Sequence, residues 1–261
     1  MTADAPREVP AFAAQVFAPR RTRYCVAVPV INEGDRILGQ LRKMQAHAGL
    51  ADVILADGGS TDGSTDPERL KALGLRALLV KTGPGKLGAQ IRMAMAWALD
   101  EGYEGVILVD GNDKDDTTEI VRFIEKLDAG YDFIQGSRFV PGGRAVRNPA
   151  SRVWGIRLLH APAISLSARH RYTDTTNGFR AYSRRLLTDP RVALFRDTLA
   201  GYELHYYLAI RAARLGFRVC EVPVTRIYPD DGSIPTKIGG WRGNLKILRV
   251  LADTCLHRYD P

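Results

Sequence analysis

The run GVILVDGNDKDD at residues 105–116 joins an apolar stretch directly to a loop crowded with acidic side chains. An uninterrupted apolar run before a turn is typical of a strand buried on both faces, as in parallel sheets. Ligands of such sheets bind beyond the carboxyl ends of the strands. The loop that begins at Asp110 therefore marks the predicted ligand edge of the protein.

The same alternation of apolar run and polar loop recurs along the chain. Further strands are predicted for RYCVAVPV (23–30), DVILAD (52–57), LRALLVK (75–81) and YDFIQGSR (131–138), with helices between them. This order predicts an α/β fold with a mostly parallel, Rossmann-like sheet covered by helices on both faces. In the second half, TDTTNGFRAYSRR (173–185) is expected to be a loop entering a helix, and FRVCEVPVTRIY (217–228) an extended strand.

The length of 261 residues, with 45% hydrophobic and 25% charged residues, fits a globular protein with a sizeable core. Residues 1–22 contain prolines and show little periodicity, so a loosely ordered or short helical lead-in is expected. Residues 23–261 are predicted to form a single domain with two functional halves, about 23–140 and 141–261.

The net charge of +8 favours anionic partners. No basic tail or recognisable nucleic-acid module is present, so no nucleic-acid partner is predicted. The three cysteines suggest neither a disulfide framework nor a zinc site, which favours the reducing cytoplasm. No run reaches the roughly 18 apolar residues needed to span a bilayer. Lys246, Arg249 and Arg258 on the last helix could rest on an anionic membrane face, although packing onto the domain is favoured.

Two glycine-containing segments are candidates for binding a nucleotide. DGGSTDGSTD (57–66) could simply cap the next helix, but capping does not need so many polar groups, and we favour a nucleotide cradle with Asp57 at the base or ribose. TGPGKLGAQIR (82–92) lacks the Walker spacing. Its Lys86 and Arg92 beside a helix N-terminus could still receive a phosphate, and an ordinary turn fits equally well.

The oxygen-rich loop after Val109 suits Mg²⁺ or Mn²⁺ bridging a carboxylate to a diphosphate. Asp110 is best placed for this, whereas Asp115 and Asp116 could cap the following helix. The five histidines are not spaced as a metal set.

Two segments of the second half carry further candidates. Glu203 lies early in a predicted helix, where it could be a general base or only a favourable charge in the first turn. The Gly- and Pro-rich segment 228–246, with Lys237 and Arg242, could be a lid over an anionic substrate or a plain surface connection.

Taken in order, these motifs resemble the family-2 glycosyltransferases of GT-A fold, and most closely the dolichyl-phosphate or polyprenyl-phosphate mannosyltransferase branch. The resemblance covers residues 24–250. The matching segments are VAVPVINEGD, DGGSTDGS, GKLGAQIRMAMAWA, ILVDGND, IQGSRF, DTTNGFRAYSR and GFRVCEVPVTR.

The resemblance implies an inverting hexosyltransferase that moves a sugar from a UDP- or GDP-sugar to a hydroxyl or lipid-phosphate acceptor. The first half would then bind the nucleotide sugar and the second half the acceptor. Together with the motifs above, the donor-binding candidates are Pro29, Asn32, Glu33, Asp57, Gly59, Ser60, Lys86, Arg92, Asp110 and Gly111. The catalytic candidates are Glu203, near the catalytic carboxylate of inverting relatives, Asp174, which would shape the acceptor pocket, and Arg138, which would hold phosphate or acceptor.

The family's Asp-x-Asp position reads Asp110-Gly111-Asn112, so that Asn112 replaces the second acid. Lys114 stands where this branch often has a glutamine ligand. Three arrangements remain open: Asn112 ligates Mg²⁺ or Mn²⁺ through its amide oxygen, Asp113 swings in, or Lys114 neutralises the diphosphate in place of a metal. Lys114, Arg180, Lys237 and Arg242 are the candidates for contacts with the diphosphate or acceptor.

Two other functions compete with sugar transfer. A sugar-phosphate nucleotidyltransferase could share the sheet and the acidic loop, but it would normally carry a Gly-rich loop with Arg and Lys where this chain has PVINEGD (29–35). A nucleotide-sugar-binding protein that has lost catalysis would also fit the altered acidic motif.

Overall fold

The computed structural model describes residues 7–230 and 240–261, with the backbone alone for residues 240–242. An eight-stranded sheet forms the centre, and a two-stranded ribbon stands beside it. The strands are β1 Phe12–Val16, β2 Tyr24–Val30, β3 Asp52–Asp57, β4 Ala77–Lys81, β5 Gly105–Leu108, β6 Phe133–Ser137, β7 Arg144–Val146, β8 Arg180–Ser183, β9 Val219–Pro223 and β10 Thr225–Ile227.

The α-helices are α1 Asp35–Met44, α2 Pro67–Ala72, α3 Leu87–Asp100, α4 Ile120–Asp128, α5 Ala150–Gly155, α6 Ala161–Ala168, α7 Arg184–Thr188, α8 Glu203–Arg214 and α9 Gly240–Cys255. Short 3-10 turns cover Gln45–His47 and Thr117–Glu119, and a π-helical turn, Ile156–His160, joins α5 to α6.

The strand order in the sheet is β1-β4-β3-β2-β5-β8-β6-β9. The neighbours from β4 to β5 run parallel, as do β6 and β9, which confirms the predicted α/β fold with a mostly parallel sheet. The buried side chains form two clusters, one on each face. One includes Trp97 of α3, Leu204 of α8 and Leu251 of α9, and the other includes Ile37 of α1 and Phe123 of α4.

The N-terminal lead-in differs from expectation at residues 12–16. These residues form β1, antiparallel to β4, with Phe12 opposite Lys81 and Val16 opposite Ala77. The pairing supplies hydrogen-bond partners for the open edge of β4. Because β4 lies more than sixty residues further along the chain, this pairing leaves no periodicity in FAAQV. The sequence pattern therefore could not reveal it.

The segment predicted as a loop before a helix contains a strand instead. β8 lies between β5 and β6 and runs antiparallel to both, with Ala181 opposite Ile107 and Ile134. Its four residues, RAYS, are too short and too polar to form an apolar run. Pairing on both sides makes the strand, and a local pattern cannot show that.

No helix among the described residues is long and apolar enough to cross a membrane.

Gly88 holds the start of α3 against the loop before α8. A Cβ at Gly88 would lie 2.5 Å from the carbonyl oxygen of Leu199 and 2.6 Å from that of Gly201. Both obstacles are backbone atoms, so we expect Gly88→Ala to lower the free energy of unfolding by about 1–3 kcal/mol in urea denaturation.

The matched control is Gly155→Ala, whose Cβ would meet nothing within 4 Å. Because alanine favours a helix more than glycine does, that variant should be neutral or stabilised by up to about 1 kcal/mol. Equal stability of both variants would contradict the close packing at Gly88.

Candidate active site

Three neighbouring strands deliver polar side chains to one edge of the sheet. β3, β2 and β5 are adjacent and parallel, so their carboxyl ends meet. Asp57 ends β3, Asn32 follows β2, and Asp110 follows β5. This is the ligand edge expected from the sequence.

The loop after β3 is folded around Asp57. Its carboxylate accepts hydrogen bonds from the backbone N–H of Gly59 at 3.1 Å and of Ser60 at 2.9 Å, and from the Ser60 hydroxyl at 2.7 Å. Asn32 joins the two loops, since its side-chain oxygen accepts from Thr61 N–H at 2.8 Å and its own N–H donates to Ser60 Oγ at 2.9 Å. The two polar loops therefore form one ordered cradle.

Backbone contacts fix the floor of this cradle. Pro29 lies in β2 opposite Ala56, and its carbonyl accepts from Gly111 N–H at 3.3 Å. A Cβ at Gly111 would overlap Val30 and lie 3.0 Å from the Pro29 oxygen, so only glycine fits there. Glu33 pairs with Arg36 at 3.1 Å.

The two cations proposed at the start of α3 have different surroundings. Lys86 is exposed just before the helix, where its backbone N–H donates to Ala200 at 2.9 Å. Arg92 is only 1% exposed, and its guanidinium binds the Glu8 carbonyl and, at 2.9 Å, the Asp197 carboxylate. These contacts of Arg92 differ from the predicted contact with a phosphate, because its side chain points toward the N-terminal segment.

At the end of β5, Asp110 is joined to β10 by Arg226. The Arg226 guanidinium lies 3.1 Å from Asp110 Oδ2 and 2.5 Å from Asp115 Oδ2. Burial is the largest influence and raises the pKa of the Asp110 carboxyl, but Arg226, His205 and Lys114 together outweigh it and hold the pKa below its usual range. Asp110 is therefore ionised, and its side chain keeps 27% exposure at the sheet edge.

Gly178 also lies in close contact with the Asp110 side chain. A Cβ at position 178 would lie 2.8 Å from Asp110 Cγ. The backbone of the 173–180 segment thus holds the Asp110 side chain at close range, which requires glycine.

The remaining polar residues of the acidic loop have separate partners. Asn112 Nδ2 lies 3.5 Å from Asp110 Oδ2, and its buried Oδ1 has no hydrogen-bond partner among the described residues. Asp113 has a left-handed backbone, with φ 56°, and its carboxylate pairs with Lys43 of α1 at 2.8 Å. That pairing does not match the predicted swing of Asp113 toward a metal.

Lys114 and Asp116 end the acidic loop. Lys114 is 5% exposed, with Nζ 5.0 Å from the centre of the Tyr228 ring. Burial, and then repulsion by Arg226, lower the pKa of Lys114 to about 8. Asp116 caps the Thr117–Glu119 turn by accepting from Thr118 N–H at 3.0 Å, as its position predicts, whereas Asp115 serves Arg226.

On the acceptor side, Arg138 and Asp174 form a buried bidentate pair. Arg138 Nε and Nη2 donate to the two Asp174 oxygens at 2.6 and 2.9 Å. Arg180 is 1% exposed, and its guanidinium donates to the carbonyls of Thr175, Asn177 and His205. In this arrangement both arginines hold loops together, which differs from the predicted role of Arg138 as a contact for phosphate or acceptor.

Glu203 is the first residue of α8, and its side chain points back toward the residues just before the helix. Its carboxylate accepts from the Gly201 N–H, and the side chain is nearly buried. Glu203 therefore lies in the first turn of α8, where a negative charge is favourable, which is one of the two roles that the sequence left open. Lys237 and the side chain of Arg242 lie outside the described residues.

Comparison with known proteins decides the family. The model of glycosyl transferase family 2 matches residues 25–189. The chain belongs to glycosyl transferase family 2. It is 30% identical over 217 residues to an undecaprenyl-phosphate mannosyltransferase of Micrococcus luteus, covering 80% of this chain and 86% of that protein. It is 29% identical to a polyprenol monophosphomannose synthase of Mycolicibacterium smegmatis, covering 78% and 77%.

Solved structures show the same GT-A fold. Glucosyl-3-phosphoglycerate synthase from Mycobacterium tuberculosis, crystallised with Mn²⁺, UDP-glucose and phosphoglyceric acid, aligns with a TM-score of 0.61 at 20% identity. The alignment covers 90% of this glycosyltransferase and 80% of that chain. The sugar-transfer family and the GT-A fold implied by the sequence resemblance are therefore confirmed.

The residues of this glycosyltransferase do not fit a divalent cation well. At a nucleotide diphosphate, Mg²⁺ and Mn²⁺ are held by one or two protein carboxylates together with the phosphate oxygens, so the carboxylates at the Asp-x-Asp position decide the fit. Among the described residues, no group of three or more His, Cys, Asp or Glu side chains is arranged to hold a metal. At the Asp-x-Asp position one carboxylate, Asp110, already pairs with Arg226, and the neutral amide of Asn112 replaces the second.

Two residues around Asp110 escaped the sequence reasoning. Arg226 ends the segment VPVTR, and its partners Asp110 and Asp115 lie more than 110 residues away in the chain. The spacing of the histidines gives His205 no special role, yet it is 8% exposed and lines a small cavity with Tyr202, Thr175 and Arg180. For Arg226, the only signal in the sequence was an arginine at the end of an apolar strand. For His205, the sequence contained no such signal.

His205 makes stability depend on pH. Burial, and then the charge of Arg180, lower its pKa from 6.5 to about 3, although Asp110 opposes this. Between these pH values the unfolded chain binds a proton that the folded protein does not, so the free energy of unfolding falls as the pH falls from about 6.5 toward 3. The slope from this residue is at most about 1.4 kcal/mol per pH unit.

We therefore expect His205→Gln to remove part of the acid sensitivity. In urea denaturation at a series of pH values, the stability difference between wild type and variant should change steadily in favour of the variant as the pH falls below about 6.5. Parallel pH curves for the two proteins would contradict a neutral buried His205.

Proposed function

We propose that this glycosyltransferase moves a hexose from a UDP- or GDP-linked sugar to a polyprenyl phosphate. The observation that carries the proposal is the 30% identity over 217 residues to an undecaprenyl-phosphate mannosyltransferase. It is supported by the meeting of the Asp57 cradle and Asp110 at the ligand edge of the sheet.

The donor would lie along the carboxyl ends of β2, β3 and β5. In this proposal the cradle of Asn32, Asp57 and Ser60 receives the base and ribose, and the diphosphate reaches the Asp110 loop. The cations there stabilise the charge that grows on the diphosphate as it leaves. An acceptor oxygen attacks the anomeric carbon, and the electron pair of the broken carbon–oxygen bond stays on the diphosphate.

A phosphate acceptor is consistent with the hydrogen bonding of the Glu203 carboxylate. A hydroxyl acceptor needs a general base, whereas a phosphate is already ionised and needs none. Glu203 is engaged by the Gly201 N–H, so that a reaction without a base requires no rearrangement there. The exposed Arg157 and Arg171 line a cleft of about 400 Å³ beside Phe139 and Thr173, next to the buried Arg138–Asp174 pair, and offer charge for an acceptor phosphate.

The lipid portion of such an acceptor would meet the helices that border this cleft. Trp154, Leu158 and Leu166 on the α5–α6 segment are 62%, 68% and 83% exposed. Arg157 lies among them, and α9 packs beside α6 with Arg249 also exposed. Apolar and cationic side chains together suit contact with an anionic membrane face, which we propose as a peripheral site of action.

The test is turnover with a panel of UDP- and GDP-sugars and a short-chain polyprenyl phosphate, monitored by release of nucleoside diphosphate. We expect release with one donor, dependent on the acceptor phosphate. Pyrophosphate formed from a sugar phosphate and a nucleoside triphosphate would instead indicate a nucleotidyltransferase. Tight nucleotide binding without turnover would indicate a protein that has lost catalysis, and either result would refute the proposal.

A further inference from the structure

The Asp110 loop and the β7–β10 ribbon bring several cations to one place. Arg226 is held there by its ion pairs with Asp110 and Asp115, and Lys114 lies next to it in the chain segment that pairs with β10. The backbone fixes both, since Ile227 N–H donates to the Lys114 carbonyl at 2.8 Å and Asp116 N–H to the Thr225 carbonyl at 3.0 Å. Their positions do not depend on flexible side chains alone.

A third cation, Arg152, contacts Tyr228, as Lys114 does. Arg152 donates to the Tyr228 hydroxyl at 3.1 Å, and Lys114 Nζ lies 5.0 Å from the centre of the same ring. Lys114 and Arg226 are 5% and 7% exposed, so water screens them poorly. Against the carboxylates of Asp110 and Asp115, these three cations leave one net positive charge among the described residues, which favours an anionic ligand at this edge.

The same charges oppose a divalent cation. An ion bound to Asp110 would sit within a few ångströms of the Arg226 guanidinium, which already lies 3.1 Å from Asp110 Oδ2. Only the Asn112 Oδ1 adds an unpaired oxygen beside it among the described residues of the Asp110–Asp113 turn, and an amide carries no charge to balance the metal. Of the other nearby acids, Asp113 pairs with Lys43 and Asp115 pairs with Arg226.

We propose that Arg226 and Lys114 neutralise the donor diphosphate in this enzyme, so that nucleotide binding and sugar transfer need no divalent metal. The inference rests on the proposed function, because it assigns the charge partner of the same diphosphate. As the bond between the anomeric carbon and the diphosphate oxygen breaks, the electron pair remains on the diphosphate, where Lys114 and the outer face of Arg226 meet it. Asp115 positions Arg226 without touching the donor.

The experiment is calorimetric titration of the full chain with UDP and GDP, in EDTA and again with Mn²⁺. We expect equal affinity in both conditions for the nucleotide that binds. In EDTA, Lys114→Met should weaken binding about tenfold to a hundredfold, because a charge-assisted contact to phosphate is lost. Lys71→Met, on the exposed surface of α2, is the matched control and should bind as wild type does.

A second variant keeps the test independent of one substitution. Asn112→Asp combined with Lys114→Gln places a second acid at the Asp-x-Asp position and removes a cation, and we expect Mn²⁺ to strengthen its nucleotide binding although Arg226 remains. Arg226 is left intact because its loss would leave Asp115 buried without a partner.

The outcomes separate this inference from the proposed function. Wild-type binding that is lost in EDTA and restored by Mn²⁺ would overturn the inference and leave the proposed function standing. Unchanged affinity of Lys114→Met in EDTA would also overturn it. Failure of both UDP and GDP to bind under any condition would overturn the proposed function itself.

Discussion

Gly178→Ala is expected to reduce sugar transfer at least about a hundredfold while the chain remains folded, because misplacing a reacting or binding group by an ångström has effects of that size. The added Cβ would lie 2.8 Å from Asp110 Cγ, and Asp110 is a short side chain that cannot move without leaving Arg226. The carboxylate must shift, and the Asp110–Arg226 contact must shift with it. Steady-state release of nucleoside diphosphate measures the loss, and circular dichroism with urea denaturation checks the fold.

Gly39→Ala is the matched control for this prediction. Its Cβ would lie 3.5 Å from Asp113 Oδ2, an ordinary contact, and it belongs to the interior of α1. We expect this variant to keep full activity and to gain up to about 1 kcal/mol of stability. Near-wild-type activity of Gly178→Ala would show that the position of Asp110 does not limit the reaction.

Asp174→Ala is expected to lower the free energy of unfolding by about 3–5 kcal/mol, because it leaves the Arg138 charge buried without its partner. The Asp174 side chain is 0% exposed and that of Arg138 is 3% exposed. The guanidinium and the backbone N–H of Arg138 both donate to this carboxylate. Urea denaturation at neutral pH measures the loss directly.

Two further variants test the cause of that loss. Asp100→Ala breaks an exposed ion pair with Arg7, 2.7 Å long, and should change stability by no more than about 1 kcal/mol. Arg138→Met combined with Asp174→Leu removes both buried charges and should be more stable than Asp174→Ala alone. If the double variant were less stable than the single one, packing rather than an unpaired charge would explain the effect.

The sequence predicted those parts of the fold that leave a local pattern. The apolar strands β2 to β6 and their helices follow directly from runs such as DVILAD and GVILV. β1, β7 and β8 were missed, since five, three and four residues with mixed polarity become strands only through partners far along the chain. β1 pairs with the edge of the sheet and β8 is inserted between two strands, and both pairings depend on tertiary contacts.

The candidate site was predictable in its position and less so in its details. Parallel strands must deliver Asp57 and Asp110 to one edge, so their meeting follows from topology. The direction of a charged side chain does not follow, because it depends on whichever partner the fold supplies. Arg92 turned to Asp197, Asp113 to Lys43 and Arg138 to Asp174, and none of these pairings is visible in a single sequence.

A crystal structure with the bound nucleoside diphosphate would show directly where the donor lies. We predict the base and ribose in the cradle of Asn32, Asp57 and Ser60, and the diphosphate between the Asp110 loop and the cations Lys114 and Arg226. A nucleotide bound elsewhere, or a diphosphate turned away from these cations, would contradict this prediction.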